Sequence, residues 1–313
     1  MPPPILGLHH VTATVDEAQA DLDFCVELLG LRLVKKTVNF DNHRVYHFYY
    51  GDEAGTPGTI WTTFPYKGYG VRVGAKGAGQ VVATTFSVPT GSLEFWRHRL
   101  GHAGVVFADI EAHFGEPAIG FSDPSGLRFE LVANDRDARE PWTEVVGKSA
   151  AVRGLYSVTM LVRRAGPSVD FLTAVLGYHV VGQSGKRTRV AANGDAPGHF
   201  IDVLEDPDAK TAVNGLGTVH HVAMAIGTAA EQLAIRDQLA ALGWSVTDVR
   251  DRCYFTSIYF REPGGVLFEI ATMKPGFTID EDRSALGRDL KLPSWEEPYR
   301  DSIEANLAAV TYR

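Results

Sequence analysis

The sequence predicts an α+β protein of four βαβββ modules that form two curved-sheet cups. Three observations carry this expectation. The first is internal repetition, the mark of a fold assembled from copies of one unit. LHHVTATV at 8–15, LYSVTMLV at 155–162 and VHHVAMAI at 219–226 are variants of one strand-like run, and VVATTFSV at 81–88 is a looser one. The second is that an amphipathic helical segment follows each run. These segments finish alike, at Leu29-Gly30, Leu100-Gly101, Leu176-Gly177 and Leu242-Gly243. Glycine is the usual residue just past a helix end, where φ is positive. The third is a hairpin late in each unit. SDPSGLRFEL at 122–131 and REPGGVLFEI at 261–270 are close copies, and GTPGTIWTTF at 55–64 and DAPGHFIDVL at 195–204 are looser ones. Proline and glycine supply their turns.

The units run near 6–66, 80–134, 152–205 and 217–273. Helix starts are marked by Asp16 with Gln19 three residues on, by Ser92 before LEFW and by Ser168 before VDFL. GYGVRVGAKGAG at 68–79 lacks the GK[ST] of a phosphate loop and reads as a linker between units. The polar, then Gly/Ala-rich stretch 135–151 reads as the linker between halves. The expected domains are therefore 1–148 and 149–275, each a pair of modules, followed by a charged tail at 276–313 that ends in a short helix.

Composition narrows the function. Of 313 residues 45% are hydrophobic and 22% charged, with a net charge of −8. An acidic balance argues against nucleic acid or an anionic membrane as partner. Two cysteines, Cys25 and Cys253, exclude a disulfide framework and a Cys-rich zinc site. No apolar run approaches the roughly 18 residues of a membrane span. The start, MPPPILG, lacks a secretory pattern, so the cytoplasm is the expected compartment. Homo-oligomerisation is compatible with this composition.

Alternation along the strands picks out side chains for the cup. His221 shares its parity with the small residues Ala223 and Ala225, which leave room for a ligand. His10 and Thr12 share the more polar parity of the first unit. Glu269 interrupts the apolar run VLFEIA on the same side. A carboxylate there is costly unless paired or bound to metal. His10, His221 and Glu269 thus form a 2-His-1-carboxylate set, which suits non-haem Fe(II); Mn(II) shares the same donor preferences. The repeats supply a control. Ser157 and about Val82 stand where His10 does, and Thr62, Glu130 and Asp202 stand where Glu269 does. Units one and four should therefore build the active cup, and units two and three a metal-free twin. His43 and His47 lie four apart in a strand-like run, where they are not neighbours. His98 and His102 suit a helix end. Phe48, Tyr49, Tyr50, Trp61 and Phe64 fit either a pocket wall or the core.

With these residues the chain resembles the vicinal oxygen chelate superfamily, which includes glyoxalases, bleomycin-resistance proteins and extradiol ring-cleaving dioxygenases. Tyr259, Glu262, Pro263, Gly264 and the terminal Glu269 are similar to the extradiol signature. Catechol-cleaving members carry a histidine where this chain has Arg252. That departure resembles the para-hydroquinone dioxygenase branch. HHVT at 9–12, HHV at 220–222 and the tail LPSWEEPYR at 292–300 do so as well. The resemblance implies the vicinal oxygen chelate fold, ligands at His10, His221 and Glu269, and catalytic groups at His9, Thr12, His220, Arg252 and Tyr259. It also implies Fe(II)-dependent opening of a small aromatic ring by O2 next to one hydroxyl. By strand parity His9 and His220 should face the helices. Two rival readings are a glyoxalase-type isomerase, which wants a fourth protein ligand where Thr62 stands, and a non-catalytic protein that sequesters an aromatic compound.

Overall fold

The computed structural model describes residues 4–110 and 113–312. Unit one supplies β1 (Gly7–Val15), α1 (Ala18–Leu22), β2 (Arg32–Asn39), β3 (Asn42–Gly51) and β4 (Ile60–Pro65). Unit two supplies β5 (Gln80–Val88), α2 (Leu93–His102), β6 (Phe107–Ile110), β7 (Ala118–Ser122) and β8 (Arg128–Ala133). Unit three supplies β9 (Gly154–Val162), α3 (Ala165–Ala174), β10 (His179–Ser184), β11 (Arg187–Ala191) and β12 (Phe200–Glu205). Unit four supplies β13 (Thr218–Ile226), α4 (Ala229–Ala241), β14 (Arg250–Asp251), β15 (Thr256–Arg261) and β16 (Leu267–Thr272). The α+β class and the four repeated units are as the sequence predicts.

Two eight-stranded sheets result. One has the order β14-β15-β16-β13-β1-β4-β3-β2, the other β10-β11-β12-β9-β5-β8-β7-β6. Each is joined at its centre by an antiparallel pair, β1 with β13 and β5 with β9. The first sheet therefore unites units one and four, the second units two and three. Residue 148 divides the chain order, while each sheet draws one unit from either side of it.

Val11, Ala13 and Val15 of β1 join Val222, Met224 and Ile226 of β13 in one continuous apolar core. The core also takes Leu22 and Phe24 from the first helical segment and Ile235 and Leu239 from α4. The opposite face of the sheet is left to form the cup. Three Leu-Gly pairs end helices as expected, with φ of 72° at Gly30, 75° at Gly177 and 83° at Gly243. The fourth does not: α2 continues through Gly101 to His102, and Gly104 (φ 70°) makes the turn. The starts also differ. α1 is preceded by Glu17 without a side-chain cap, and Ser168 lies inside α3.

The tail runs over the first sheet and ends in α5 (Arg300–Asn306). It is fixed by the buried Lys35 ammonium, which binds Asp280 at 2.5 Å and also Glu281. Phe277 packs on Tyr49 and Tyr254 and so backs the aromatic wall of the cup. Among the described residues no helix is long and apolar enough to cross a membrane.

A candidate metal centre in the first cup

The register of the first sheet decides which side chains meet. Along β1 and β13 two residues are skipped, His9 between Leu8 and His10, and His220 between Val219 and His221. Each is the extra residue of a β-bulge, which turns a strand locally and re-aims a side chain. The parity reading for these two residues is therefore corrected. His9 packs at 4.9 Å from Phe255 in the cup, and His220 lines the cup's cavity. Strict alternation fails where a bulge adds a residue.

His10, His221 and Glu269 converge. His10 Nε2 and His221 Nε2 are 3.2 Å apart, and Glu269 Oε2 lies 3.3 Å from the first and 2.8 Å from the second. All three residues are buried. Donors about 2.1 Å from a common ion, at right angles, stand about 3.0 Å apart. The observed triangle fits that geometry. Glu269 Oε2 is buried without a hydrogen-bond donor, whereas its Oε1 accepts from Ser257 Oγ. An orphaned carboxylate oxygen aimed at two imidazole nitrogens is what a cation would satisfy.

The neighbouring histidines set the tautomers. His9 Nε2 lies 3.2 Å from the Thr272 carbonyl oxygen, which can only accept. His9 must therefore carry its proton on Nε2. Burial pushes its pKa down to about 3, so the ring is neutral and Nδ1 is an acceptor. His10 Nδ1, 2.9 Å away, then donates to it. This leaves the His10 Nε2 lone pair facing Glu269 and His221. The His220 and His221 Nδ1 atoms pair in the same way at 2.7 Å. Such outer hydrogen bonds fix ring orientation and tautomer in metal sites.

The centre opens into a cavity of about 250 Å³, lined by His47, Tyr49, Phe64, Arg252, Phe255 and Tyr259 among others. Arg252 Nε donates to Tyr259 Oη at 3.1 Å, and its Nη2 donates to Asp41 at 3.2 Å. Burial works against the guanidinium, but Tyr259 and Asp41 outweigh it and keep Arg252 charged. Burial, then the nearby Glu269, raises the Tyr259 pKa, so its hydroxyl keeps its proton. Thr12 bonds to Thr62 at 2.8 Å, and Thr62 to His47 Nε2 at 2.9 Å.

The structure thus brings the three expected ligands to one point and sets His9, His220, Arg252 and Tyr259 around them, while Thr12 reaches the cavity only through Thr62 and His47. His47 is an addition. Its pairing with His43 along one strand was irrelevant; what matters is that β3 and β4 place it against Thr62. Tyr49 and Phe64 wall the cavity, whereas Phe48, Tyr50 and Trp61 join the core. In the second sheet, Ser157 matches His10 as expected. Glu130 pairs with Thr85 as Glu269 pairs with Ala223. The match to His221 is therefore Ala83, and Val82, itself skipped by a bulge, is out by one.

Comparison with known proteins places this geometry. The description "Glyoxalase/Bleomycin resistance protein/Dioxygenase superfamily" matches residues 7–131 and 154–270. The chain is 42% identical over 303 residues to Bacillus subtilis MhqO, provisionally named a ring-cleaving dioxygenase, covering 96% of each chain. It is 37% identical over 310 residues to chlorohydroquinone/hydroquinone 1,2-dioxygenase of Sphingobium indicum, covering 97% of this chain and 96% of that one. A Bacillus subtilis crystal structure provisionally described as a dioxygenase superposes with a TM-score of 0.94 at 41% identity, covering 99% of both chains. Glyoxalase I from Zea mays shares the fold, with a TM-score of 0.63 at 14% identity over 85% of this chain and 92% of that one.

Proposed function

The chain belongs to the glyoxalase/bleomycin resistance protein/dioxygenase superfamily, and from that premise we propose that it is a ring-cleaving dioxygenase. Its proposed substrate is a para-hydroquinone, opened by O2 next to one hydroxyl, with Fe(II) held by His10, His221 and Glu269. The observation that carries this reading is the buried triangle of donor atoms around the orphaned Glu269 oxygen. Mn(II) suits the same donors. Iron bound there would supply coordination sites for one substrate oxygen and for O2, and a path for electrons between them.

The remaining side chains have roles that follow from their contacts. An apolar cavity of about 150 Å³ suffices for benzene, so the cavity of about 250 Å³ admits one substituted ring. Tyr49, Phe64 and Phe255 give it aromatic walls. Tyr259 Oη accepts from Arg252, which leaves its own proton free to donate to a substrate oxygen. Arg252 stays charged and stabilises a phenolate or an anionic product. His220, at the cavity wall, directs Nδ1 to His221 and so offers an Nε2 proton. His9 holds His10 in its binding tautomer. Thr12 anchors His47 at the cavity wall through Thr62. That same slot speaks against an isomerase with four protein ligands, since Thr62 is engaged by Thr12 and His47.

The test is anaerobic reconstitution with Fe(II), followed by O2 uptake with hydroquinone and with catechol. Uptake with hydroquinone and not with catechol is expected. Uptake with catechol alone would overturn the substrate assignment, and no uptake with either would overturn the activity.

A further inference from the structure

Away from the metal centre, four arginines line one groove of about 610 Å³: Arg72, Arg163, Arg164 and Arg261. It lies where the 206–217 linker crosses the 66–79 linker, between the start of α3 and the tip of the β15–β16 hairpin. Three of the guanidiniums are tethered by neutral acceptors. Arg163 donates to the Ala209 carbonyl and to Thr211 Oγ1, Arg72 to the Asn214 carbonyl, and Arg261 to the Gly265 carbonyl. Among the described residues none of the four has a carboxylate oxygen within 4.0 Å. Two carboxylates, Glu262 beside Arg261 in the chain and Glu205 at the start of α3, are engaged by backbone N–H groups. Glu205 accepts from the Ala165 N–H, and Glu262 accepts from the N–H groups of Gly264 and Val266.

The repeats show that the fold does not require this charge. VTATV in unit one leads into Asp16-Glu17, whereas VTMLV in unit three leads into Arg163-Arg164. The hairpin of unit two, beginning at Ser122, rests on Asp16 through Ser125. The hairpin of unit four, beginning at Arg261, brings Gly264 against Val162 and Ser168. The equivalent place in the other pair of units therefore carries Asp16, Glu17 and Ser122, with Glu17 paired to Lys67 at 2.8 Å. Four unneutralised guanidiniums in a chain of net charge −8 are thus a local feature of one copy.

We propose that this groove is a binding site for a small, multiply charged oxyanion bearing several phosphate or carboxylate groups. Guanidinium forks bind such groups bidentately. The volume lies in the usual range for small-molecule sites, about 300–1,000 Å³.

Calorimetric titration of the full-length protein with tripolyphosphate and with citrate tests the site and distinguishes the two ligand chemistries. Sodium chloride at matched ionic strength is the reference. The variant Arg163→Asp/Arg164→Glu imports an acidic pair like the one that unit one already carries there. It should bind the preferred probe at least tenfold more weakly. Both probes also chelate metal, but chelation is common to wild type and variant and cancels in the comparison. Should that variant fail to fold, Arg72→Gln/Arg261→Gln serves with the same expected direction. Equal affinity in wild type and variant, or no heat beyond the chloride reference, overturns the site. A change in sedimentation with no change in anion affinity would overturn it too, by making the groove a contact between proteins.

Discussion

The two cups are built by the same unit and solve the same electrostatic problem in different ways. Each places carboxylates on the inner face of a sheet. In the first cup Glu269 faces two imidazoles across a triangle of 2.8–3.3 Å, and a cavity of about 250 Å³ stands open beside it. In the second cup Ser157 and Ala83 stand where the imidazoles would be, and Asp202 stands where Thr62 does. There the acids are neutralised by guanidinium. Arg189 binds Asp202 with two parallel hydrogen bonds of 2.7 and 3.0 Å, Arg187 adds a third at 3.2 Å, and Arg189 also reaches Glu116 at 2.7 Å. These side chains leave a void of about 20 Å³, room for roughly one water. A buried carboxylate needs a counter-charge, and what supplies it decides whether a cup is a site or a plug.

The sharpest way to break this contrast is to remove a donor from each cup. His221→Ala should lose bound metal and lower turnover by at least about 100-fold, more than the loss of an outer partner of a metal ligand costs. Glu130→Gln, at the matching place in the second cup, should change neither. Metal stoichiometry by atomic emission reads both variants. A wild-type metal content in His221→Ala would remove the assigned centre, and metal loss in Glu130→Gln would put a centre in the wrong cup.

The next effect belongs to the plug. Asp202→Ala takes the carboxylate from buried Arg187, which keeps only Thr159, and leaves Arg189 with Glu116 alone. Breaking a buried pair in this way costs about 3–5 kcal/mol. Denaturant unfolding should show that loss with the metal content unchanged. A loss below about 1 kcal/mol would mean that water, and not Asp202, satisfies the guanidiniums.

How far each cup was legible follows from what alternation encodes. His10 and His221 open regular stretches just past their bulges and Glu269 sits within one, so parity with the residues that follow them in the strand aimed them toward the cup. His9 and His220 sit on bulges, and no residue type in HHVT or HHVA announces that one strand will skip a partner. The same cause moved the unit-two match from Val82 to Ala83. His47 and His43 share one strand, whereas the partner of His47, Thr62, comes from the neighbouring one, which spacing along the chain does not reveal. Arg187 and Arg189 are visible in RTRVA as alternating charges. Their acceptors, Asp202 and Glu116, come from β12 and from unit two, so the plug needed register between units. Leu100-Gly101 copies a helix end without being one, because the turn waits for Gly104.

A smaller effect tests the bulge itself. His9→Phe keeps a ring against Phe255 but loses the bond that sets the His10 tautomer. Outer partners of this kind are worth about 10–100-fold in metal affinity. Competition with a chelator should show a drop in that range, with the unfolding midpoint little changed. Unaltered affinity would mean that His10 finds its tautomer without help.

The smallest effect lies at the corresponding bulge of the second sheet, where Tyr156 is the residue skipped between Leu155 and Ser157. It occupies the position of His9, yet its hydroxyl donates to Glu116. Tyr156→Phe deletes that donor and a long 3.5 Å acceptor for Arg189, while the ring stays packed on Phe200 and Glu116 keeps Arg189. The net worth of one such bond is about 1 kcal/mol, so a loss of that size and no change in metal content are expected. If Tyr156→Phe instead weakened metal binding in the first cup, the two sheets would be coupled through the shared core, and treating them as independent solutions on one scaffold would be wrong.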